Sequence, residues 1–474
     1  MQDKTACRIA VDIGGTFTDT VLVARSGAIL ATTKTPTTSD DPSLGALDGV
    51  SHVLKTAKIG WSDIGGFIHG TTLATNALIE RRGAVVATIT TEGFRDILEI
   101  AYERRYSQYE INLVKPDLLV PRARAFTIAG RIDAQGREIT PLDESAVGQL
   151  ALDLRAHGVE ALAICLLHAY ANPSHEQKLR TLLQAACPGL VISLSHEVSP
   201  EAREFDRLST TVANAYIQPQ MSVYLRAFQK RFAVKGLICP ILMMTASGGM
   251  TTLETAMRLP IRLVESGPAG GAILAARIAA ETDQDAVLSF DMGGTTAKLC
   301  LIDHGRPQTA RRFEIARAAR FIKGSGMPVR IPVIEMIEIG AGGGSIAHVD
   351  RLRRLNVGPE SAGSEPGPAA FAKGGRDATV TDADVAQGYI DPARFAEGRL
   401  RIDTKAADRA LEASVGQALD LDAHMSAFGI SEIVDENMAG AGRMHAVESG
   451  KDLGARLMIA FGGNGPLHAT RVAR

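Results

Sequence analysis

One short motif occurs twice in this chain, and it constrains the fold more than any other feature. The sequence VDIGGTFTD covers residues 11–19, and FDMGGTTAK covers residues 290–298. In both copies a β-rich segment leads into an acid, two glycines and a threonine, and a second β-rich segment follows. This pattern predicts two β-hairpins with the same tight turn. Alternating β and α segments follow each hairpin, so we expect a duplicated α/β fold whose halves face each other across a cleft.

The border between the two halves is indicated by a change of pattern. The alternation of β and α segments ends near Pro200, where a long helical pattern begins, and we expect Pro219 to interrupt that helix. We therefore predict one domain at residues 1–196, which carries the first turn, and a second at residues 197–474, which carries the second turn.

The repeated turn has the chemistry of a phosphate site. Its glycines allow a tight backbone and remove side chains, so that successive N–H groups can approach an anion. The threonine adds a hydroxyl donor, and the acid at the strand end can hold a hydrated Mg²⁺ that neutralises phosphate. Two such turns that face each other would hold a triphosphate from both sides. The candidate residues are Asp12, Gly14, Gly15 and Thr16 in the first turn, and Asp291, Gly293, Gly294, Thr295 and Thr296 in the second.

The same motif also has an interpretation without a ligand. An Asp-x-Gly-Gly-Thr sequence can be only a hairpin turn, selected for its backbone geometry. A single copy of the motif would support the two interpretations equally, whereas two copies with matched flanking sequences favour the phosphate site.

Two further glycine loops are candidates for nucleotide contacts. FGGNGPLHA at residues 461–469 joins a strand to a helix, where free N–H groups and missing side chains would let a base or ribose lie against Gly462 and Gly463. Alone this is a common kind of loop, and its place after the two hairpin turns gives it weight. In GAGGGS at residues 340–345, successive glycines are costly in backbone entropy, which favours a binding role for Gly343.

Several weaker motifs allow both a functional and a structural interpretation. His69 could contact substrate or phosphate, although helix capping by Thr71 explains its motif without a ligand. SGPAGG at residues 266–271 could present N–H groups to an anion or allow close helix packing. Asp382 and Asp384 could join a Mg²⁺ shell or cap the helix that follows them.

Two groups of side chains, one of histidines and one of arginines, are explained more simply as ordinary surface residues than as binding sites. His168 and His175 could form a metal pair, but their spacing matches no zinc pattern and favours loop histidines at the surface. Arg95, Arg104 and Arg105 could bind an acidic substrate, whereas exposed helix charges are the ordinary explanation.

Composition and charge narrow the partners and the compartment. The formal net charge is −2 and no long run has one sign, so we expect neither nucleic acid nor a membrane surface as partner. No apolar run approaches the roughly 20 residues that span a bilayer, and the N-terminus shows no apolar segment of a signal peptide. The five cysteines are scattered without a CxxC pair, which is typical of a reducing cytoplasm.

The order of two hairpin turns and a Gly-Gly loop resembles the actin/sugar-kinase/heat-shock-chaperone ATPase fold, in which duplicated domains face a nucleotide cleft. More narrowly, the chain resembles the hydantoinase A/5-oxoprolinase family, which includes the ATP-binding subunits of acetone and acetophenone carboxylases. The resemblance extends from Arg8 to His468. Its motifs include RIAVDIGGTFTDTVLV (8–23), HGTTLATNALIERRGA (69–84), VESGPAGG (264–271), FDMGGTTAKL (290–299), IGAGGGSIA (339–347) and FGGNGPLHA (461–469).

The resemblance implies an ATP-dependent enzyme subunit with Mg²⁺ as a second cofactor. It places phosphate on both hairpin turns, adenosine on Gly462 and Gly463, and Mg²⁺ on Asp12 and Asp291, directly or through water. The implied activity transfers the γ-phosphoryl group to a carbonyl of a small cyclic amide or imide, such as a hydantoin, 5-oxoproline or a lactam, for ring opening. The resemblance implies a hydantoinase B-type partner subunit. It leaves open whether the chain also forms a homo-oligomer.

Other functions remain open at this point. The chain could be the ATP-binding subunit of a ketone carboxylase, a nucleotide-binding regulatory or assembly protein, or a kinase of a sugar or small acid. The sequence also departs from the family pattern: TASGG stands at residues 245–249 where members usually have Gln-Ser-Asn-Gly-Gly. Family chains continue well past the adenosine loop, so we expect the family's C-terminal part to be missing here.

Overall fold

A computed structural model of the chain describes residues 7–15, 17–38, 41–113, 115, 117–317, 324–398 and 400–474, with the backbone alone at 396 and 397. Thr16, a predicted phosphate-binding residue, lies outside the described residues. The fold mixes strands and helices throughout, so the predicted α/β class is confirmed.

The strands are short and occur along the whole described chain. In chain order they are β1 (Cys7–Ile13), β2 (Phe17–Val23), β3 (Ile29–Pro36), β4 (Ile64–Thr71), β5 (Val86–Thr91), β6 (Ala125–Ile128), β7 (Arg131–Ile132), β8 (Glu138–Thr140), β9 (Ala161–Cys165), β10 (Val191–Leu194), β11 (Ile241–Met244), β12 (Met250–Thr252), β13 (Ala286–Met292), β14 (Ala297–Asp303), β15 (Arg306–Pro307), β16 (Thr309–Ala310), β17 (Phe313–Ile315), β18 (Met327–Val329), β19 (Val333–Ile334), β20 (Ile337–Ile339), β21 (Ser345–Val349), β22 (Leu355–Ser361) and β23 (Leu457–Phe461).

The α-helices lie between and after these strands. In chain order they are α1 (Pro42–Ala57), α2 (Leu73–Ile79), α3 (Ile97–Ile100), α4 (Val147–Ala156), α5 (Ser174–Ala186), α6 (Ser195–Val198), α7 (Glu204–Val234), α8 (Leu253–Arg258), α9 (Ser266–Glu281), α10 (Val380–Ala386), α11 (Thr404–Leu411), α12 (Gln417–Leu419), α13 (Ala423–Glu448) and α14 (Gly465–Val472). A π-helical turn, Glu412–Gly416, separates α11 from α12. Short 3₁₀ turns are Trp61–Asp63, Arg122–Arg124, Glu144–Ala146, Pro260–Leu263, Ala369–Phe371 and Phe395–Gly398.

The first half is built on a six-stranded sheet in the order β12-β11-β4-β1-β2-β3. Strand β1 pairs antiparallel with β2 and parallel with β4. Along β1, Ile9, Val11 and Ile13 are buried, while Arg8 and Asp12 on the opposite face are exposed. This alternation follows from the two-residue repeat of a strand, and it places Asp12 on the face away from the core.

The second half repeats this arrangement in a sheet with the order β15-β14-β13-β23. Strand β13 pairs antiparallel with β14 and parallel with β23, as β1 pairs with β2 and β4. Both central strands therefore carry a hairpin turn on one side, and their parallel neighbours, β4 and β23, each lead into a helix. The duplication that the repeated motif predicts is thus present in the topology.

A third sheet, whose strands lie between β4 and β11 in the sequence, is entirely parallel and has the order β10-β9-β5-β6. Its central strand β9 is ALAIC, and all five residues are buried. Continuous apolar strands of this kind need cover on both faces, which α7 supplies on one side through contacts with β9 and β10.

Helix α7 passes through Pro219 without a break, so the expected interruption there was wrong. Proline removes one backbone donor and costs about 3 kcal/mol inside a helix. Burial of Ile217, Met221, Leu225 and Phe228 on the same helix offsets that cost, since tertiary packing commonly overrides helix propensity.

The strands that follow α7 return to the first sheet, where β11 pairs parallel with β4. The border between residues 196 and 197 stays a prediction. Among the described residues, none of the helices combines the length and the apolar composition needed to cross a bilayer.

Candidate functional site

The two hairpin turns close in the same way. Gly14 N donates to Phe17 O at 3.0 Å, and Gly293 N donates to Thr296 O at 3.0 Å. The carbonyls that end the two central strands also have equivalent partners. Thr72 N donates to Ile13 O at 3.1 Å and Asn464 N donates to Met292 O at 2.9 Å. Each turn is therefore held by its hairpin partner and by the loop that follows the parallel strand.

Glycine at the turns is not required by a positive φ. Neither Gly14, Gly15 nor Gly293 lies in the left-handed region. A Cβ at Gly15 or Gly293 would meet its nearest described neighbour only at 3.9 Å, which is an ordinary contact. Packing within the described chain therefore leaves these two positions free to carry a side chain, and a ligand on their backbone stays a prediction.

The second turn is covered on one side by the 340–345 loop. Gly343 N donates to Gly293 O at 3.1 Å and Gly344 N donates to Gly294 O at 2.6 Å. A Cβ at Gly343 would lie 1.8 Å from Asn464 Nδ2, so glycine is needed there for protein packing. Gly343 is buried, and its direct contact with a ligand stays a prediction.

The loop after β23 lies beside the acid of the second turn. Gly462 has φ +87°, and a Cβ there would lie 2.5 Å from Asp291 Oδ1 and from Met292 O. Gly463 is exposed, and a Cβ on it would find no described atom within 4 Å. Gly462 is thus fixed by the chain itself, whereas Gly463 borders open space.

These two glycines give a matched pair of variants. Gly462→Ala should lower the melting temperature, because a Cβ at positive φ is strained and would press on Asp291, at a cost above about 1 kcal/mol. Gly463→Ala should leave the melting temperature unchanged. Thermal unfolding of both variants measures this, and equal stability would show that the loop does not hold the conformation described.

The acid of the first turn acts on the acid of the second. Gly70 and Gly267 face Asp12, and a Cβ on Gly70 would lie 2.7 Å from Asp12 Oδ1. Displacement of water by the surrounding protein raises the pKa of Asp12, and Asp19 raises it further. The same displacement raises the pKa of Asp291 to about 6, a rise that Lys298 opposes and the charge of Asp12 reinforces. Each half therefore brings a carboxyl group whose pKa is raised by burial, although Lys34 opposes the rise at Asp12 and Lys298 opposes it at Asp291.

Helix α9 connects the two sheets at this site. Its first residue, Ser266, donates through Oγ to Thr71 O at 3.5 Å. Further along, a Cβ at Gly271 would lie 2.1 Å from the Phe461 ring, so close packing explains this glycine. Close packing is thus confirmed for Gly271 against β23, whereas an anion at the first turn of α9, where Gly267 faces Asp12, stays a prediction.

Lys298 and Glu265 are site residues that the sequence reasoning missed. Lys298 lies directly opposite Asp291 in the β13–β14 register. Its ammonium contacts Glu265 at 2.5 Å and lies 3.6 Å from Glu338. The equivalent position in the first half is Asp19, opposite Asp12. Aligning the two copies through their strands, rather than their turns alone, would have revealed this pair.

The weaker candidates of the sequence analysis have structural contacts. His69 lies in the core, where Nε2 contacts Tyr224 Oη at 2.9 Å and burial lowers its pKa to about 4. The N-cap of α2 is Thr72 rather than Thr71, and it makes no side-chain cap hydrogen bond. Thr71, one residue earlier, accepts through Oγ1 from Leu73 N at 3.2 Å. Asp382 accepts from Thr379 N and Oγ1 and from Ala370 N, which makes it a helix cap.

The histidine pair and the arginines do not form sites. His168 contacts Tyr170 Oη at 3.1 Å, whereas His175 contacts Glu138 at 2.8 Å and is buried, so its expected place at the surface was wrong. Within the described ranges, no three His, Cys, Asp or Glu side chains are grouped so that they could hold a metal. The three arginines of the sequence analysis, Arg95, Arg104 and Arg105, are exposed.

Comparison with known proteins decides the family. A family model described as hydantoinase/oxoprolinase matches residues 207–474, and one described as the hydantoinase/oxoprolinase N-terminal region matches residues 8–187. The chain belongs to the hydantoinase/oxoprolinase family. The family expected from the motifs is thereby confirmed.

Relatives in this family match nearly the whole chain. An uncharacterised protein of Methanocaldococcus jannaschii is 38% identical over 98% of this chain and 68% of its own length. Caprolactamase subunit alpha of Pseudomonas jessenii is 33% identical over 99% of this chain and 67% of its own length. Acetophenone carboxylase gamma subunit of Aromatoleum aromaticum is 33% identical over 97% of this chain and 64% of its own length. The hydantoinase/oxoprolinase chain described here thus spans about two thirds of these relatives.

Two solved structures of the family share the fold. Nucleotide-free acetone carboxylase matches with a TM-score of 0.87 at 24% identity, over 98% of this chain and 66% of its own. The ATP-dependent caprolactamase of Pseudomonas jessenii matches with a TM-score of 0.79 at 33% identity, over 98% and 67%. Both likenesses extend over nearly the whole of this chain, and they show that it shares the fold of these structures.

Proposed function

We propose that this chain is the ATP-binding part of an enzyme that phosphorylates, and so activates, the carbonyl of a small cyclic amide or imide. The observation that carries the proposal is the pair of equivalent hairpin turns that bring Asp12 and Asp291 to one cleft. Caprolactamase subunit alpha, whose name denotes a lactam substrate, matches both halves at 33% identity.

The residues of the cleft fit a magnesium-bound triphosphate. Gly15, Gly293 and Gly463 leave backbone accessible, as a phosphate or ribose needs. Asp12 and Asp291 would hold Mg²⁺, which takes only one or two protein carboxylates when phosphate and water complete its shell. That agrees with the lack of a larger metal-binding group in the described part of the chain. When bound, Mg²⁺ neutralises charge on the transferred phosphoryl group.

Activation of an amide explains why ATP is needed. Resonance makes the carbonyl of a lactam or hydantoin a poor electrophile. In the proposed step the carbonyl oxygen bonds to the γ-phosphorus while the bond from that phosphorus to the β-γ bridging oxygen breaks, which releases ADP. Water then adds to the carbonyl carbon, and the C–N bond breaks as the ring nitrogen takes up a proton and leaves as an amine. A second water hydrolyses the resulting acyl phosphate to a carboxylate and free phosphate. The cleft residues bind and orient the phosphates, and they compensate charge as it shifts.

A second candidate function is supported by an equal similarity. Acetophenone carboxylase gamma subunit is also 33% identical, so this chain could serve a ketone carboxylase, where the enol oxygen of a ketone would accept the phosphoryl group. Both relatives are named as subunits. We therefore propose a partner subunit of the hydantoinase B type for either function.

Turnover assays test the function. Purified chain, with and without its co-purifying partner, should hydrolyse ATP faster when a hydantoin, 5-oxoproline or lactam is added, and ring-opened product should match phosphate released. Stimulation by ketones with bicarbonate alone would move the assignment to the carboxylase. If none of these compounds stimulates ATP hydrolysis, both the cyclic-amide and the carboxylase assignments are wrong.

The pKa of Asp291 predicts opposite effects of acid on stability and on binding. The folded chain holds this pKa near 6, above its ordinary 3.8, so the folded state binds more protons than the unfolded state between these values. This group should therefore stabilise the ligand-free chain as the pH falls from 7 towards 5. Nucleotide affinity in the presence of Mg²⁺ should fall over the same range, because a protonated carboxyl is a poor metal ligand.

Melting curves and ADP titrations across this pH range measure both effects. The nucleotide also titrates near pH 6, so the same titrations with Asp291→Asn provide the reference. A pH dependence of affinity identical in the variant and the wild type would remove Asp291 from the metal site.

A further inference from the structure

A buried ionic cluster joins three helices behind the glycine loops of the second half. His468 lies on α14, Asp384 on α10 and Asp435 on α13, and their relative exposures are 1%, 0% and 4%. His468 Nδ1 lies 2.7 Å from Asp435 Oδ1, and Nε2 lies 3.4 Å from Asp384 Oδ1. Arg471, also on α14, lies 3.3 Å from Asp435.

The cluster holds one imidazolium between two carboxylates. Burial opposes the charge of His468, but Asp384 and Asp435 outweigh burial and raise its pKa to about 9. Burial raises the pKa of Asp384, and His468, whose Nε2 lies 3.4 Å from Asp384 Oδ1, opposes that rise. Apolar side chains would fill the same space at lower cost, so packing alone does not account for the cluster.

The helices of the cluster are also those that hold the glycine loops. Helix α14 begins directly after Asn464, whose Nδ2 donates to Gly293 O at 3.3 Å and whose backbone N donates to Met292 O. Helix α10 holds the 340–345 loop, since Thr381 N donates to Gly343 O at 2.7 Å. The position of α14 relative to α10 therefore sets the spacing of both loops around the second hairpin turn.

We propose that His468 is a positioning residue of the nucleotide site, which ties α14 to α10 and α13 so that the 462–464 and 340–345 loops are preformed around the second turn. His468 does not touch the nucleotide in this proposal and acts through α14. The inference rests on the proposed function, because it assumes that these loops receive a nucleotide. It also assigns Asp384, for which the sequence allowed a Mg²⁺ shell or a helix cap, to neither role.

Calorimetric titration with ADP tests the proposal without turnover. For His468→Gln we expect the Kd for ADP to rise about tenfold, which corresponds to 1.4 kcal/mol. His424→Gln is the matched control, since His424 is exposed on α13, and it should keep the wild-type Kd. Wild-type affinity in His468→Gln would overturn the inference. Failure of the wild type itself to bind ADP would overturn the proposed function, and this inference with it.

A second variant keeps the test decisive if His468→Gln does not fold. Asp384→Asn retains the His468–Asp435 hydrogen bond and removes a buried charge, so it should stay folded. The groups that face His468 are Asp384 on α10, Asp435 on α13, with Glu432 beyond it, and Arg471 on α14.

His468 has a pKa of about 9, so its deprotonation above that pH should weaken ADP binding by the wild type. Asp384→Asn should move this fall in affinity to a lower pH, because Asp384 helps to raise the pKa of His468. A cluster with only a structural role would change the melting temperature and leave this profile in place, and that result would also overturn the inference.

Discussion

Asp291→Asn should reduce ATP turnover by about 100-fold or more while leaving the chain folded. Asparagine has nearly the same size but cannot supply the negative charge that Mg²⁺ requires. Because the surrounding protein raises the pKa of Asp291, the charged carboxylate is less favourable in the folded state than in water. The melting temperature of the ligand-free variant should therefore equal or exceed that of the wild type. Turnover and thermal unfolding, measured on one preparation, give both results.

The control for this variant is Asp285→Asn. Asp285 lies immediately before β13, the strand that carries Asp291, and its side chain is 85% exposed, so the substitution should change neither turnover nor stability. Asp12→Asn tests the other half and should lose turnover to a similar extent. Full activity in either Asp12→Asn or Asp291→Asn would show that the cleft does not use both carboxylates.

Much of the fold could be predicted because the strongest sequence features are local. The alternation in CRIAVDI and the glycines that follow it specify a strand and a turn without knowledge of the rest of the chain. The long helix across Pro219 could not be foreseen in this way, because its stability comes from the residues that pack around it. The return of β11 to the first sheet depends on pairing with a distant strand and was likewise beyond local pattern.

The residues of the candidate site that adjoin the two turns could be predicted from the sequence. Residues whose role depends on which strand residues lie opposite each other were missed. Asp12 and Asp291 precede glycines, and that local context marks them. Lys298 was visible in the repeated motif, yet its role depends on which residue of β14 lies opposite Asp291 and on the approach of α9. His175 was misplaced for the same reason, since Glu138, its partner, lies far away in the sequence.

The two halves share a backbone plan but have opposite charge at one equivalent position. Asp19 lies opposite Asp12 and pairs with Lys34 at 2.6 Å, whereas Lys298 lies opposite Asp291 and pairs with Glu265. The half with Lys298 thus places a cation beside its acid, on the strand that leads away from the second turn. This asymmetry suggests that the halves have different tasks within one site.

Lys298→Met should destabilise the chain by about 3 kcal/mol, the range found when one partner of a buried ion pair is removed. The Lys298 side chain is 12% exposed and the Glu265 side chain 15% exposed, so water would screen the remaining charge poorly. Glu338 and Asp291 would lose the same neighbouring cation. Glu265 is the N-cap of α9 and has φ +63°, a left-handed conformation that few residues other than glycine adopt. Loss of its partner Lys298 should therefore release this end of the helix. Urea unfolding measures the change in stability.

Lys34→Met is the matched control, because it removes the lysine that faces the equivalent position of the first half. The Lys34 and Asp19 side chains are 37% and 49% exposed, so this variant should cost no more than about 1 kcal/mol. The ratio of the two losses distinguishes a buried network from an ordinary surface pair. If both variants unfold at the same urea concentration, Lys298 does not hold α9 against the second sheet. If Lys298→Met alone is destabilised and Lys298→Arg restores the wild-type midpoint, the charge of this residue, rather than the length of its side chain, joins the two halves of the cleft.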